Sequence, residues 1–477
     1  MTDPVDLCII GAGPGGYVAA IRAAQLGMRV AIVEREHLGG VCLNRGCIPT
    51  KAMLRVADVY ATLQRGAEFG ILADNVRLDY GRALRFRDRV VDALRNGVAG
   101  LLRSQGVQVL TGHGRLAGAR TVVVQRNGGE ERIEARRILL ATGSRPATPP
   151  IPGADDPALV LTSDSALELT AVPKSLVVIG GGAVGLEWAV MFHAFGTAVT
   201  VLEMMPTLLP TEDAEIGQQL ARILGKRGLS IHTGAKVLAI EAGPEGGALV
   251  RYQTSDSAEA TVRGERVLLA VGRAPLTTDL GLETAGVRTE RGWVPVDERL
   301  QTNVEGIYAI GDITRHQLLA HVASHQGVVA VEQMAGHQRR LDYTQVPSCV
   351  FTHPEVASVG LTEAAARERG YDVQVGRFPL AALGRAQTYG DTDGFVKVVT
   401  EARYGEILGV HIIGPVASDM IAEATLALHL EATVDDLVDT IHAHPTWPEA
   451  LPEAALASRG LALHLLKPRE RRAPAGT

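Results

Sequence analysis

The sequence predicts an α/β fold: two copies of a strand–glycine turn–helix–strand unit, followed by a C-terminal region of α+β character. Three observations carry that expectation. Gly11-Ala12-Gly13-Pro14-Gly15-Gly16 follows an apolar strand, and Gly180-Gly181-Gly182-Ala183-Val184-Gly185 follows another. Each run is trailed by an acid at the same distance, 34 − 11 = 23 for Glu34 and 203 − 180 = 23 for Glu203. A repeated supersecondary unit makes each copy more credible than a lone glycine run would be.

In chain order, residues 5–10 read as a strand, 11–16 as the turn, 17–26 as a helix and 30–33 as a second strand ending at Glu34. The turn matches a dinucleotide fingerprint. Gly11 permits the tight bend, Gly13 lets the backbone approach a pyrophosphate, and Gly16 lets helix and strand pack closely. The helix N-terminus offers free N–H groups to phosphates, and Glu34 can accept from ribose hydroxyls. The second copy runs as strand 176–179, glycines Gly180, Gly182 and Gly185, a helix to about residue 195, and strand 199–202 before Glu203. A carboxylate at Glu203 repels a 2′-phosphate and favours NAD over NADP. The alternative, an ordinary strand-to-helix turn, is weakened by the complete strand, helix and acid. Two dinucleotides in one chain suggest a flavin and a nicotinamide.

The proline-rich stretch 144–156 reads as a linker. Further boundaries are expected near 271–276 and 342–347. Beyond them, 348–359 and 395–413 alternate as strands do, with helices at 363–368 and 418–430. The division is 1–148, 149–275, 276–346 and 347–466, with 467–477 a solvated, frayed tail.

Composition narrows the function. The chain has 477 residues, a net charge of −6, and only 4% aromatic residues. It therefore lacks the basic surface and the stacking platforms that nucleic-acid binding uses. The apolar runs are of strand length, short of the ~20 residues that span a bilayer. No apolar signal core follows a basic start, so the expected location is cytoplasmic, with no membrane partner.

Only four cysteines occur, and two of them, Cys42 and Cys47, lie in Gly-Gly-Val-Cys-Leu-Asn-Arg-Gly-Cys-Ile-Pro-Thr-Lys, directly after the first unit. In a reducing compartment a close pair is catalytic or metal-binding more often than structural. Structural zinc takes four ligands in closely spaced pairs, and no second pair exists. A redox dithiol next to a flavin is the better reading, and no metal is expected. Its thiolate needs a nearby positive charge, and Lys51 shares a helical face with Cys47. Cys8 and Cys349 fall in strands and read as core. A base could come from His442 or His444, with Glu449 five residues beyond the latter as an orienting carboxylate. Spacing leaves the choice open.

These residues resemble the pyridine-nucleotide disulfide oxidoreductase family, in its dihydrolipoamide dehydrogenase branch, from Val5 to about Leu466. The most specific matches are 39–51 and 442–449. Supporting ones are Ala141-Thr142-Gly143, Val271-Gly272-Arg273, 308–312 and 351–355. The resemblance implies two Rossmann-like dinucleotide-binding domains, for FAD and NAD, and a C-terminal dimerisation domain. A central segment, 276–346, would complete the FAD site.

It also implies roles. Cys42 would be the interchange thiol facing the substrate and Cys47 the thiol against the flavin. Lys51 would lie at the flavin's reactive edge, Glu187 near the nicotinamide, and Asp312 on the ribityl chain. Gly143 and Gly272 would line the cofactor sites. His444 would be the acid/base, oriented by Glu449 and acting from the other subunit of a homodimer, with His442 a non-catalytic neighbour. His444–Pro445 would be cis. The implied substrates are lipoyl groups on acyltransferase or glycine-cleavage carrier proteins. Trp447 and Pro448 depart from the Leu and Ser more usual in the family. Reductases of small disulfides share the fold but prefer NADP, and mercuric reductases carry a cysteine pair that has no counterpart after Cys349. A non-catalytic flavoprotein subunit is the remaining alternative.

Overall fold

Strand β1 (Val5–Ile10) is apolar at four consecutive positions because both of its faces are covered, as parallel strands require. Leu7 and Ile9 pack into one core, with Ala19, Ala20 and Ala23 of helix α1 (Pro14–Gln25). Cys8 and Ile10 point into the opposite core. Burial pushes the Cys8 thiol up to about 12, so it remains an uncharged packing group. Helix α1 begins at Pro14, three residues before its sequence-based start, because proline's fixed φ and missing N–H suit the first helical position.

The computed structural model describes residues 4–126 and 128–466. The expected tail at 467–477 lies outside the described residues. The chain forms two compact units, one of residues up to 204 with 235–341, the other of 205–234 with 342 onward.

In the first unit, β1 lies parallel between β2 (Val30–Glu34) and the strand Gly129–Leu140. Strands Gln108–Thr111 and Ile307–Ala309 extend that parallel set. The second copy repeats the order. Strand Ser175–Ile179 lies parallel between Ala198–Glu203 and Arg266–Leu269, with Val160–Leu161 outside the latter. The stretch 144–156 is not all linker. It opens with strand Ser144–Pro146, paired antiparallel with Arg273–Pro275. Proline, lacking an N–H, is tolerated in so short an edge ribbon. Helices α2 (Gly40–Arg45), α3 (Cys47–Gln64) and α4 (Tyr80–Ser104) complete the side that matters here. Asp79 caps α4 by accepting from the Arg82 N–H at 2.9 Å.

The second unit contains an antiparallel sheet in the order Ser348–Val350, Glu355–Gly360, Ile407–Gly414, Phe395–Glu401, Val373–Pro379. Helices Ala417–His429 and Ala450–Ser458 bury their apolar faces in its core. Cys349 packs against that core, from strand Ser348–Val350.

One cation interrupts the core pattern. Lys397 is 1% exposed, and its Nζ lies 3.0 Å from Asp213, 2.7 Å from Glu215 and 2.9 Å from Glu363. Burial alone would push the ammonium down, but hydrogen bonds to Glu215, Glu363 and Asp213 outweigh it and leave Lys397 raised. Asp213 and Glu363 are likewise held below the carboxylate range, against the opposing pull of burial. Depressed carboxylates contribute stability above their unfolded values and lose it as pH falls through their folded ones, so this cluster weakens on acidification. Lys397→Met leaves three carboxylates facing one another and is expected to cost about 3 kcal/mol, the low end for a broken buried pair because Glu215 is half-exposed. An unchanged unfolding midpoint for the second unit in urea would contradict this.

Among the described residues, no helix is long and apolar enough to cross a membrane.

Candidate active site

The two glycine turns are built alike down to single hydrogen bonds. In the first, the Ala12 N–H donates to Glu34 Oε2 at 2.8 Å; in the second, the Gly181 N–H donates to Glu203 Oε2 at 2.6 Å. A Cβ on Gly11 would lie 2.3 Å from the Ala141 carbonyl oxygen, and one on Gly180 would lie 2.4 Å from that of Ala270. Gly16 and Gly185 press against the carbonyls of Gly11 and Gly180 in the same way.

The middle glycines differ. A Cβ on Gly182 would meet nothing, and one on Gly13 only ordinary contact at 3.9 Å. The protein's own packing needs the outer glycines but not these two. The space they keep open, at helix N-termini without side-chain caps, fits a dinucleotide pyrophosphate.

A single cleft of the first unit gathers most of the expected residues. Gly11, Gly13, Glu34, Cys42, Cys47 and Lys51 line it with Gly143, Glu187 and Asp312. Gly16 stands behind, as a packing position. Gly180, Gly182, Gly185, Glu203 and Gly272 are not on its wall, but Val184, Glu187 and Trp188 of the helix Ala183–Ala194 are.

Two further residues tie Asp312 into this cleft. Ser144 Oγ donates to Asp312, Arg273 Nε donates to Ser144 Oγ at 2.6 Å, and Arg273 lies 3.6 Å from Asp312. Ser144 was not singled out in the sequence. Its only signal is its place directly after Ala141-Thr142-Gly143, and serine alone at a loop end carries little information.

The dithiol spans a helix break. Cys42 lies in α2, Cys47 opens α3, and Gly46 between them has φ −130° and ψ −109°, outside helical values. Both thiols are free. The pair titrates unequally. A hydrogen bond from Cys42 lowers Cys47 to about 7, with help from Lys51 against burial. The same hydrogen bond, reinforced by burial, pushes Cys42 up. Cys47 is therefore the more readily ionised of the two and Cys42 the thiol that donates to it. Lys51 in turn pairs with the buried Glu187, Nζ to Oε2 at 2.6 Å, so its ammonium is fixed between the two copies of the nucleotide unit.

In the second unit the two histidines have different partners. His444 Nδ1 meets Glu449 Oε2 at 2.7 Å, and its side chain is 76% exposed. His442 engages Glu423 at 2.7 Å through Nε2 and the Thr440 carbonyl at 2.9 Å through Nδ1. Both of its ring nitrogens are occupied. Burial raises Glu449, but the Thr446 N–H, His444 and His442 outweigh it and hold the carboxyl down. An ionised Glu449 fixes the proton on Nδ1 of His444 and leaves Nε2 free to exchange one. The His444–Pro445 bond is cis. Trp447 is buried, edge-on to Tyr389 with centroids 5.6 Å apart, so it belongs to the core.

Comparison with known proteins adds names to this geometry. The family model described as pyridine nucleotide-disulphide oxidoreductase matches residues 5–327, and the dimerisation domain of the same family matches 346–455. A dihydrolipoyl dehydrogenase of Bacillus subtilis (strain 168) is 45% identical over 475 residues, covering 97% of this chain and 100% of the relative. One from Thermus scotoductus is 46% identical over 463 residues, covering 97% and 99%. Among solved structures, the HOCl-induced flavoprotein disulfide reductase RclA from Escherichia coli superposes with a TM-score of 0.84 at 31% identity, over 94% of this chain and 99% of that one. LpdA from Mycobacterium tuberculosis gives 0.86 at 28%, with the same coverage.

Proposed function

The chain belongs to the pyridine nucleotide-disulphide oxidoreductase family, and on that premise we propose that it oxidises protein-bound dihydrolipoamide to lipoamide while reducing NAD to NADH. The observation that carries this reading is the unequal dithiol in the nucleotide cleft, with Cys47 poised as a thiolate and Cys42 as its partner. The working form is a homodimer, and a dimerisation domain supports it. Lipoyl groups on acyltransferase or glycine-cleavage carrier proteins are the substrates.

The chain's residues divide the work. With the pair oxidised to a disulfide, one substrate thiolate attacks Cys42 Sγ, the Cys42–Cys47 bond breaks, and Cys47 leaves as a thiolate. The lowered pKa of Cys47 makes it the better leaving group, so attack at Cys42 is favoured over attack at Cys47. His444 of a second copy, held by Glu449, takes the proton of the first substrate thiol at Nε2 and releases it to solvent before taking that of the second. The second substrate sulfur then displaces Cys42, which leaves as a thiol with a proton from the imidazolium. Two substrate S–H bonds have become one S–S bond, the enzyme disulfide has become the Cys42 thiol and the Cys47 thiolate, and one proton has gone to solvent.

The Gly11–Gly16 turn, Glu34 and Asp312 would hold FAD, which when bound would supply two-electron transfer between the dithiol and NAD. Lys51 stabilises the Cys47 thiolate at this stage, and Glu187 holds Lys51 in place. Glu203 selects NAD.

The test is NADH formation by the purified holoenzyme from dihydrolipoamide, with NAD and NADP compared. NAD is expected to be preferred by roughly 100-fold in kcat/KM, the effect of placing a phosphate against a buried carboxylate. Absence of dihydrolipoamide-dependent reduction, alongside NADPH-dependent reduction of glutathione disulfide, would overturn the reading.

A further inference from the structure

We propose that Asn44 and Arg95 form a positioning pair that sets where the Cys42–Cys47 dithiol lies against the nucleotide cleft. The proposal rests on the dithiol reading above and deepens it.

Helix α2 has six residues, too few to be stable by itself, so Cys42 is placed by whatever holds α2. Its entry is anchored on the first glycine turn. The Gly39 N–H donates to the Ala12 carbonyl at 2.8 Å, and Gly40 approaches so closely that a Cβ would lie 2.5 Å from Gly13 Cα. Its exit is the non-helical Gly46. Between them, Asn44 spends both amide N–H groups on the entry loop, donating to the Leu38 carbonyl at 3.0 Å and the Gly40 carbonyl at 2.8 Å. Two carbonyl partners fix the amide's orientation, so Oδ1 faces away from the loop. There it accepts from Arg95 Nε at 2.9 Å.

Arg95 belongs to α4, a 25-residue helix seated in the core by Val91, Val98 and Leu102. Asp92, one turn earlier, accepts from Arg95 Nη1 at 3.2 Å and steadies the fork. A rigid rod thus holds the guanidinium, the guanidinium holds Asn44, and Asn44 closes the short cysteine helix onto its own entry at Leu38 and Gly40, which the Gly39 N–H ties to the nucleotide turn. Neither residue needs to touch the substrate. Arg95 also lines a second cavity, with Asn44 and Arg87, and its side chain is 30% exposed, so replacing it leaves no packed void.

The experiment uses the flavin-loaded enzyme reduced by two electrons and reads the thiolate–flavin charge-transfer absorbance per flavin, beside kcat and KM. Arg95→Met and Asn44→Ala are expected to weaken that absorbance and lower kcat roughly tenfold, as a sub-ångström misplacement would. The KM for dihydrolipoamide should stay within about twofold, because ground-state binding is untouched. Arg95→Lys, which keeps the charge but lacks the planar fork, should recover part of both losses. Arg87→Met, on the same cavity wall but with no bond to Asn44, should match the wild type. If Asn44→Ala fails to fold, Arg95→Met decides. Wild-type absorbance and kcat in Arg95→Met would overturn the proposal, as would an equal loss in Arg87→Met. A wild-type enzyme that shows no such absorbance on reduction would instead remove the dithiol reading beneath it.

Discussion

Cys42→Ser is expected to lower dihydrolipoamide-to-NAD turnover by at least ~10⁴-fold, because a hydroxyl cannot form the disulfide on which the exchange depends. The same variant should show the charge-transfer absorbance with its flavin oxidised, before any reductant is added, since Cys47 remains to supply the thiolate. Cys47→Ser should lose both. In the wild type that absorbance should grow with pH around a midpoint of about 7. The sign follows from the cause: the Cys42 hydrogen bond and Lys51 favour the charged form of Cys47, so the thiolate is present above that midpoint and protonated below it. Stopped-flow turnover and a pH titration of the reduced protein check all three statements. Absorbance that survives in Cys47→Ser, or is absent from Cys42→Ser while its flavin is oxidised, would reverse the order assigned to the two sulfurs.

His444→Gln carries the second large effect, a fall of about 10³-fold in kcat from the loss of a positioned proton acceptor. Glutamine keeps the bulk and can still bond to Glu449, so the loss isolates proton transfer from packing. Glu449→Gln should cost less, because the imidazole remains and only its tautomer and orientation are relaxed. His442→Gln provides the contrast. Both ring nitrogens of His442 are engaged, by Glu423 and by the Thr440 carbonyl, so it has no free site for a substrate proton. Equal losses in the His442 and His444 variants would contradict the assignment, and steady-state kinetics over a pH series separates them.

The repeat was legible in the sequence because its constraints are local. Gly11 and Gly180 are required by a carbonyl a little over 2 Å from where a side chain would start, and the acid at the end of the next strand bonds back into the same turn. Such rules act over some twenty residues and leave a pattern. The histidines show where the pattern stops. Spacing offered His442 and His444 equally, and what separates them is Glu423, nineteen residues upstream on the helix Ala417–His429. Arg95 is harder still. Helix α4 has arginines at 82, 85, 87, 89, 95 and 103, and only the approach of α2 selects the one that meets Asn44. Lys397 stood inside an alternating apolar run as a local conflict, and its three carboxylates lie 34 to 184 residues away.

The bond from each ribose-end acid to its own glycine turn has a consequence for redesign. Glu203 is the obvious position to exchange when converting nicotinamide preference, and an arginine there would welcome a 2′-phosphate. Yet Glu203 is also the acceptor for the Gly181 N–H, in a buried setting. Exchanging it would orphan that donor and loosen the phosphate cradle while admitting the new ligand. On the role proposed for Glu203, cofactor choice and cradle rigidity fall to one carboxylate, and a successful switch would have to supply a replacement acceptor for Gly181 alongside the new positive charge.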